Sequence, residues 1–322
     1  MNMKLQNKKT LYYDNVALVP KYSSLESRKD ANTSALLGGK QYKLPVIPSN
    51  MKCVIDEDRA EWLSQNDYMY VMHRFDINNF DFVKNANVKN WKNISISIGV
   101  KAEDYDLLNK IKSYGLRVDC ITIDIAHGHS LLMQKMLNHV RDTFPDVSII
   151  AGNVCTPEGF DDLCVWGADA VKVGIGPGAA CTTKLKTGFT YPMYSCISYI
   201  CEGSKEYSSK LLIADGGVSH NGDIAKAIHA GADFVMCGKL FSGCIDSPAP
   251  IDNLGHKLYY GSASVHNKNH KNNIEGTLIA VESNNMTYEQ KLKEIEQDLQ
   301  SSISYAGGTC VKDIRTVWWV EI

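Results

Sequence analysis

The chain has 322 residues, 44% of them apolar, enough to bury a large core. Its 34 basic and 36 acidic residues leave a formal net charge of −2 with no block of like charge, so an electrostatic nucleic-acid face is excluded. No apolar stretch approaches the ~20 residues of a membrane span, and the basic N-terminal segment has neither an apolar core nor a small-residue cleavage site, so no leader and no membrane partner are expected.

The ten cysteines show no Cys-x-x-Cys pair, and most, such as Cys120 and Cys237, lie in apolar runs. Reduced, buried thiols behave in this way, so a cytoplasmic location is expected.

The predicted elements follow one another as βα units. Parallel strands buried on both faces read as continuous Val/Ile-rich runs, and such runs cover 44–49, 68–73, 94–100, 120–128, 147–154, 170–176, 211–217 and 234–241. The intervening spacing predicts helices over 56–66, 102–114, 130–142, 157–166 and 221–230, with a final one over 287–304. Thr156-Pro157 and Asn221-Gly222-Asp223 supply helix starts, and Gly115, Gly167 and Gly231 supply stops. The expected fold class is α/β: a single (β/α)8 TIM barrel over 1–322, with an active-site flap and a C-terminal helix.

The regular spacing breaks twice. The first six runs begin 23 to 27 residues apart, but the sixth and seventh begin 41 apart, and residues 242–286 form a flap-like excursion after the eighth. Long insertions in compact domains are usually functional, and in a TIM barrel the loops after the strands carry the active site. The chemistry is therefore expected on that face.

After the sixth run, Gly174-Ile175-Gly176-Pro177-Gly178 leads through two alanines to Cys181. Such a loop is a tight turn, a phosphate cradle built from amides, or a monovalent-cation site built from carbonyls. An arbitrary cysteine is usually an inert core thiol. Cys181, followed by Thr182, Thr183 and Lys184, is instead a candidate nucleophile of lowered pKa.

Asp215-Gly216-Gly217 and Gly238-Lys239 end the seventh and eighth runs, where TIM barrels hold phosphates on backbone N–H groups. Asp215 is either a ribose-diol acceptor or a capping carboxylate. His127 and His129, after Asp124, alternate on an extended segment without an evident third ligand, which argues against a metal. His73-Arg74 offers a cation to an anionic cofactor, as does Ser27-Arg28, with surface salt bridges the blander reading for both arginines. Glu275-Gly276 stands in an otherwise uncharged stretch, and the residues alone favour a solvated loop glutamate.

Taken together, LPVIPSNM, ITIDIAHGHS, AGNVCTPE, GADAVKVGIGPGAACTTKLKTG and ADGGVSHNGDIAKAIHAGADFVM resemble the IMP dehydrogenase/GMP reductase family across nearly the whole chain. GIGPG-x-x-C-T-T followed by Lys-Thr-Gly is similar to the reductase branch. The dehydrogenase branch tends to read Gly-Ser-Gly before the cysteine, carries CBS domains for which strands two to four leave no room here, and has an Arg-Tyr pair in the flap that 242–286 lacks.

The resemblance implies NADPH-dependent reductive deamination of GMP to IMP and ammonia, a purine salvage step, through a covalent thioimidate on Cys181. It implies that Thr183 helps protonate the departing amine and that Glu275 holds the guanine edge. Asp215, Gly216, Gly217, Gly238 and Lys239 would take the ribose phosphate, and Gly261, Ser262, Ala263 and Gly276 would meet the base. Cofactor contacts would come from Ser27, Arg28, Arg74, Asp124, Ile125 and Ala126. Ser301, Ser302 and Ser304, reaching over from a neighbouring subunit of a homotetramer, would complete them.

The carbonyls of Gly176, Gly178 and Cys181 match a potassium site in relatives. Departures from the family pattern are Lys239, which replaces a small residue, the loosely matching 189–209, and residues 272–274, which lack a basic residue. Two alternatives remain: an IMP dehydrogenase without CBS domains that uses NAD, and a catalytically silent purine-nucleotide-binding barrel. Binding alone would need none of Cys181, Thr183 and Glu275.

Overall fold

The structure, a computed structural model, describes residues 9–207, 209–267 and 272–322. Part of the 242–286 excursion, residues 268–271, therefore lies outside the described residues. Strand β1 (Val16–Val19) is followed by a hairpin of β2 (Ala35–Leu37) and β3 (Lys40–Tyr42). Then come β4 (Val46–Pro48), β5 (Ser95–Ile98), β6 (Cys120–Asp124), β7 (Ser148–Val154), β8 (Ala170–Val173), β9 (Leu211–Asp215) and β10 (Phe234–Cys237). These seven form one parallel sheet in the order β4-β10-β9-β8-β7-β6-β5. Within the excursion, β11 (Lys257–Tyr260) pairs antiparallel with β12 (Leu278–Val281), and β13 (Trp318–Glu321) returns to β1.

The sheet is curled. Ile47 of β4, Cys120 of β6, Ile150 of β7, Ile213 of β9 and Met236 of β10 all meet in one buried cluster, which a flat sheet would not allow. Leu37 and Tyr42 of the β2–β3 hairpin join the same cluster. The hairpin turn at Gly38, φ +58°, packs on Ser148, the first residue of β7. The hairpin therefore plugs the end where the strands start and leaves their C-terminal ends open for the site.

Seven of the eight predicted runs become strands of this sheet, whereas 68–73 makes a single bridge, Met72 to Ile96 of β5. Met72 N–H donates to the Ser95 carbonyl at 3.1 Å, and Ser97 N–H donates to the Met72 carbonyl at 3.0 Å. On the opposite flank, the Pro45 carbonyl and the Ser49 N–H both bond to β10. Val46 and Pro48 therefore face the gap towards 68–73, and Pro48 has no N–H to give to a ladder.

The helices are α1 (Glu57–Gln65), α2 (Asn79–Val88), α3 (Ala102–Ser113), α4 (Leu131–Thr143), α5 (Pro157–Val165), α6 (Thr183–Thr187), α7 (Met193–Gly203), α8 (Asn221–Ala230), α9 (Lys239–Ser242) and α10 (Tyr288–Tyr305). Thr156 caps α5 by accepting the Gly159 N–H, with Pro157 at the first helical position.

Sequence reading missed α2 and α7. Asn78 caps α2 by accepting from Phe80 and Asp81 N–H. Its Asn-rich interior has low intrinsic propensity, so burial of Phe80, Phe82 and Val83 stabilises it.

His73, read as part of a cationic pair, is instead neutral. It is buried, its Nδ1 accepts the Phe75 N–H at 3.2 Å, and burial with nearby Lys52 pushes its pKa down to about 4. Of the His73-Arg74 pair, Arg74 carries the charge.

An unfolded histidine titrates near 6.5, so as pH falls the unfolded chain takes up this proton first. The stability from neutral His73 is complete above about pH 6.5 and is lost down to about pH 4, on the order of 3 kcal/mol. Thermal melts across that window should fall steeply in the native chain and less steeply in His73→Asn. Parallel curves would refute the assignment.

Candidate active site

The loop after β8 and the β11–β12 hairpin meet through backbone bonds. Thr182 N–H donates to the Glu275 carbonyl and Thr277 N–H to the Ala180 carbonyl, both at 2.8 Å, forming an isolated bridge between Cys181 and Gly276. Two glycines allow the approach: a Cβ on Gly261 would stand 3.1 Å from the Ala180 carbonyl oxygen, and one on Gly276 would stand 3.0 Å from Ser264 N. The Ala263 carbonyl accepts the Glu275 N–H at 3.1 Å, so the turn at 261–264, with Ser262 and Ala263, lies against the segment that carries Glu275. Glu275, which the residues alone read as a solvated loop side chain, is built into the lip of the site.

The side chains brought together form a directed chain. The Cys181 thiol donates to Thr183 Oγ1 at 3.2 Å, and Thr183 Oγ1 donates to Glu275 Oε2 at 2.6 Å. A thiol, a hydroxyl and a carboxylate in sequence can pass the thiol proton outward and return it to a leaving group.

All ten cysteines are free. Burial pushes Cys53, Cys201 and Cys244 up to about 11, and Cys120 and Cys164 up to about 12. Cys53, Cys120, Cys164 and Cys244 are core thiols and Cys201 is half-buried against the core, whereas Cys181 is half-buried at the end of a loop.

Further into the mouth of the sheet lies a charged network that sequence reading missed in part. Lys172 of β8, fully buried, donates to Asp124 Oδ1 at 2.5 Å and to Asp215 Oδ2 at 3.0 Å. Asn50 donates to Asp124 Oδ2 at 3.1 Å, and Asn153 to Asp215 Oδ2 at 2.9 Å. Burial alone would raise the Asp124 carboxyl, but Lys172, then Arg74 and Asn50, outweigh it and hold the group below the usual carboxylate range. The same carboxylates overcome the burial of Lys172 and raise its ammonium above the usual lysine range. A single lysine within an otherwise apolar buried strand was the available signal.

Beside Asp215, Gly216 and Gly217 adopt φ of +99° and +82°, conformations that suit glycine and bring backbone close to a ligand. Gly238 lies against the Tyr259 hydroxyl, a neighbour sequence reading did not single out. The Lys239 side chain is exposed at the start of α9. In the glycine loop Gly176 has φ +78°, and the Gly178 carbonyl accepts the Cys181 N–H at 2.9 Å.

The residues expected to hold a cofactor fall into two groups. Arg74 donates to the Asp124 carbonyl at 3.3 Å, and Ile125 pairs with Gly152 at 3.0 Å, which places Asp124–Ala126 at the open end. Ser27 and Arg28 lie elsewhere, with Arg28 donating to Ser301 Oγ at 3.2 Å and Ser304 meeting Ser23 at 3.3 Å. Ser302 bonds back to the Asp298 carbonyl within α10. Helix α10 starts beside Asp246 and Val54 at the open end. A rise of 1.5 Å per residue puts Ser301 roughly 20 Å away, towards the plugged end.

Comparison with known proteins gives one consistent outcome. Residues 10–317 match the family described as IMP dehydrogenase / GMP reductase domain. The chain is 46% identical to the GMP reductase of Albidiferax ferrireducens over 313 residues, covering 96% of this chain and 95% of that protein. It is also 46% identical to the GMP reductase of Mycoplasma mycoides subsp. mycoides SC, covering 96% of both chains. Among the described residues, no helix is long and apolar enough to cross a membrane.

The burial pattern predicts selective chemistry at the thiols. Brief alkylation of native protein near neutral pH, followed by peptide mapping, should label Cys181 well before the buried Cys53, Cys120, Cys164 or Cys244, by at least about tenfold. Equal labelling of Cys181 and Cys120 would contradict this.

Proposed function

Since the chain belongs to the IMP dehydrogenase/GMP reductase family, we propose that it catalyses the NADPH-dependent reductive deamination of GMP to IMP and ammonia. The observation that carries this reading is the hydrogen-bonded chain Cys181–Thr183–Glu275. Cys181, deprotonated through Thr183, adds to C2 of the purine. The proton held at Glu275 returns through Thr183 to the 2-amino group, which leaves as ammonia, and a thioimidate remains on Cys181. The reduced nicotinamide, when bound, supplies hydride to C2, and the thiolate then departs to give IMP. A carboxylate at the lip favours a base that presents N–H groups, as guanine does, which supports the reductase over the dehydrogenase reading.

Asp215 accepts from the ribose diol, and the amides of Gly216, Gly217 and Gly238 take the phosphate with the Tyr259 hydroxyl alongside. Lys239 adds only its backbone N–H, since its side chain is exposed. Gly261, Ser262, Ala263 and Gly276 face the base. The carbonyls of Gly176, Gly178 and Cys181 are hard oxygen donors suited to potassium; the Gly178 oxygen keeps a second lone pair after accepting the Cys181 N–H. A bound potassium would brace this loop.

Arg74, Asp124, Ile125 and Ala126 serve the nicotinamide side. Ser27, Arg28, Ser301, Ser302 and Ser304, at the other end of α10, serve the site of a neighbouring copy in a homotetramer. In this reading 68–73 occupies the eighth position of a single (β/α)8 barrel, 242–286 is its flap, and no CBS domains interrupt it.

NADPH consumption with GMP, with and without potassium, tests the reading. Turnover is expected in the native chain, none in Cys181→Ala although it binds GMP, and kcat lower by about 10²–10⁴ in Thr183→Ala and Glu275→Gln. NADH formation from IMP and NAD without NADPH consumption would favour the dehydrogenase. GMP binding without turnover would favour the silent barrel.

A further inference from the structure

Lys172 is a buried charge that no step above uses. It lies in β8 between Val171 and Val173 and is 2% exposed. Its stem passes over Gly152, where a Cβ would come within 2.5 Å of the Lys172 Cβ, so the neighbouring strand is shaped to admit it. Its ammonium bridges Asp124 and Asp215, which come from strands that do not adjoin each other, β6 and β9.

A buried ion pair is a weak device for stability, because well-packed apolar side chains of similar volume commonly do as well. What the lysine supplies here is a state of ionisation. Two carboxylates sharing one buried site do not both ionise without a cation between them.

The other groups facing the pair do not replace that cation. Arg74 reaches the main-chain carbonyl of Asp124 and leaves Asp215 alone. Tyr13, Cys237 and Tyr259 face Asp215, and burial pushes all three up, so they are neutral near pH 7. Asn50 and Asn153 orient the carboxylates without adding charge, and Asn153 Oδ1 is buried with no hydrogen-bond partner among the described residues.

Resting on the reading above, in which Asp215 takes the ribose and Asp124 flanks the nicotinamide, we propose that Lys172 is a positioning residue. It keeps both carboxylates ionised and aimed at the mouth of the sheet. Without it one carboxylate takes a proton and becomes a donor, so the substrate side and the cofactor side cannot both accept hydrogen bonds.

Lys172→Met removes the ammonium at similar volume. GMP binding is followed calorimetrically between about pH 6 and 8, with difference infrared spectra reporting any protonated carboxyl. In the native chain the affinity should change less than about twofold across that range, with no protonated-carboxyl band. In Lys172→Met the affinity should be weakest at the acid end, recovering by up to about tenfold per pH unit, with the band present near neutrality. Asp124→Asn combined with Lys172→Met leaves a single carboxylate and should flatten the profile again. Should Lys172→Met not fold, Lys172→Gln, which retains an N–H donor, carries the same measurements.

A flat profile in the single variant, a loss equal at every pH, or no carboxyl band would overturn the proposal. Absence of GMP turnover in the native chain would instead overturn the functional reading, and the infrared band would still decide the role of Lys172.

Discussion

Two backbone hydrogen bonds, Thr182 N–H to the Glu275 carbonyl and Thr277 N–H to the Ala180 carbonyl, make the site. They tie a glycine loop after β8 to a hairpin that begins some eighty residues later, and without them Glu275 has no reason to stand near Thr183. Each such bond contributes about 1 kcal/mol net. A contact of that strength, made twice, aligns three side chains. Gly261 and Gly276 are part of the same constraint, since side chains at either would hold the two segments apart.

The curled sheet divides its interior by polarity. The plugged end is filled by Ile47, Ile150, Ile213 and Met236 with Leu37 and Tyr42 from the hairpin, an apolar layer that holds the strands together. The open end turns Asp124 of β6, Lys172 of β8 and Asp215 of β9 inward, where the small Gly152 of β7 leaves room. Stability and chemistry are thereby assigned to opposite ends of one set of strands. The charged end tolerates burial only because each charge has a partner.

Much of this was legible in the sequence for definite physical reasons. Parallel strands buried on both faces need unbroken apolar runs, so seven of the eight runs appear as strands. The run at 68–73 keeps one bridge, to β5, and on its other flank Pro48 of β4 has no N–H to offer. Helix α2 was hidden by its asparagines, and α7 by Pro192 before it and Gly203 at its end, both of which resemble loop signals.

Cys181 and Thr183 announced themselves by their local polarity. Glu275 did not, because its partner is distant in sequence and only the hairpin register joins them. Lys172 was concealed within a strand already assigned to the core. The separation of Arg28 and Ser301 from Arg74 depends on the direction in which α10 runs, which no local pattern encodes.

The most direct test of covalent chemistry at Cys181 is intact-protein mass spectrometry of an acid-quenched mixture of the chain and GMP, followed by peptide mapping. The predicted result is an adduct of one GMP less one ammonia on the Cys181 peptide, discharged to IMP when NADPH is added before the quench. NADPH-dependent IMP formation with no adduct at Cys181, or with Cys181→Ala still turning over, would contradict it.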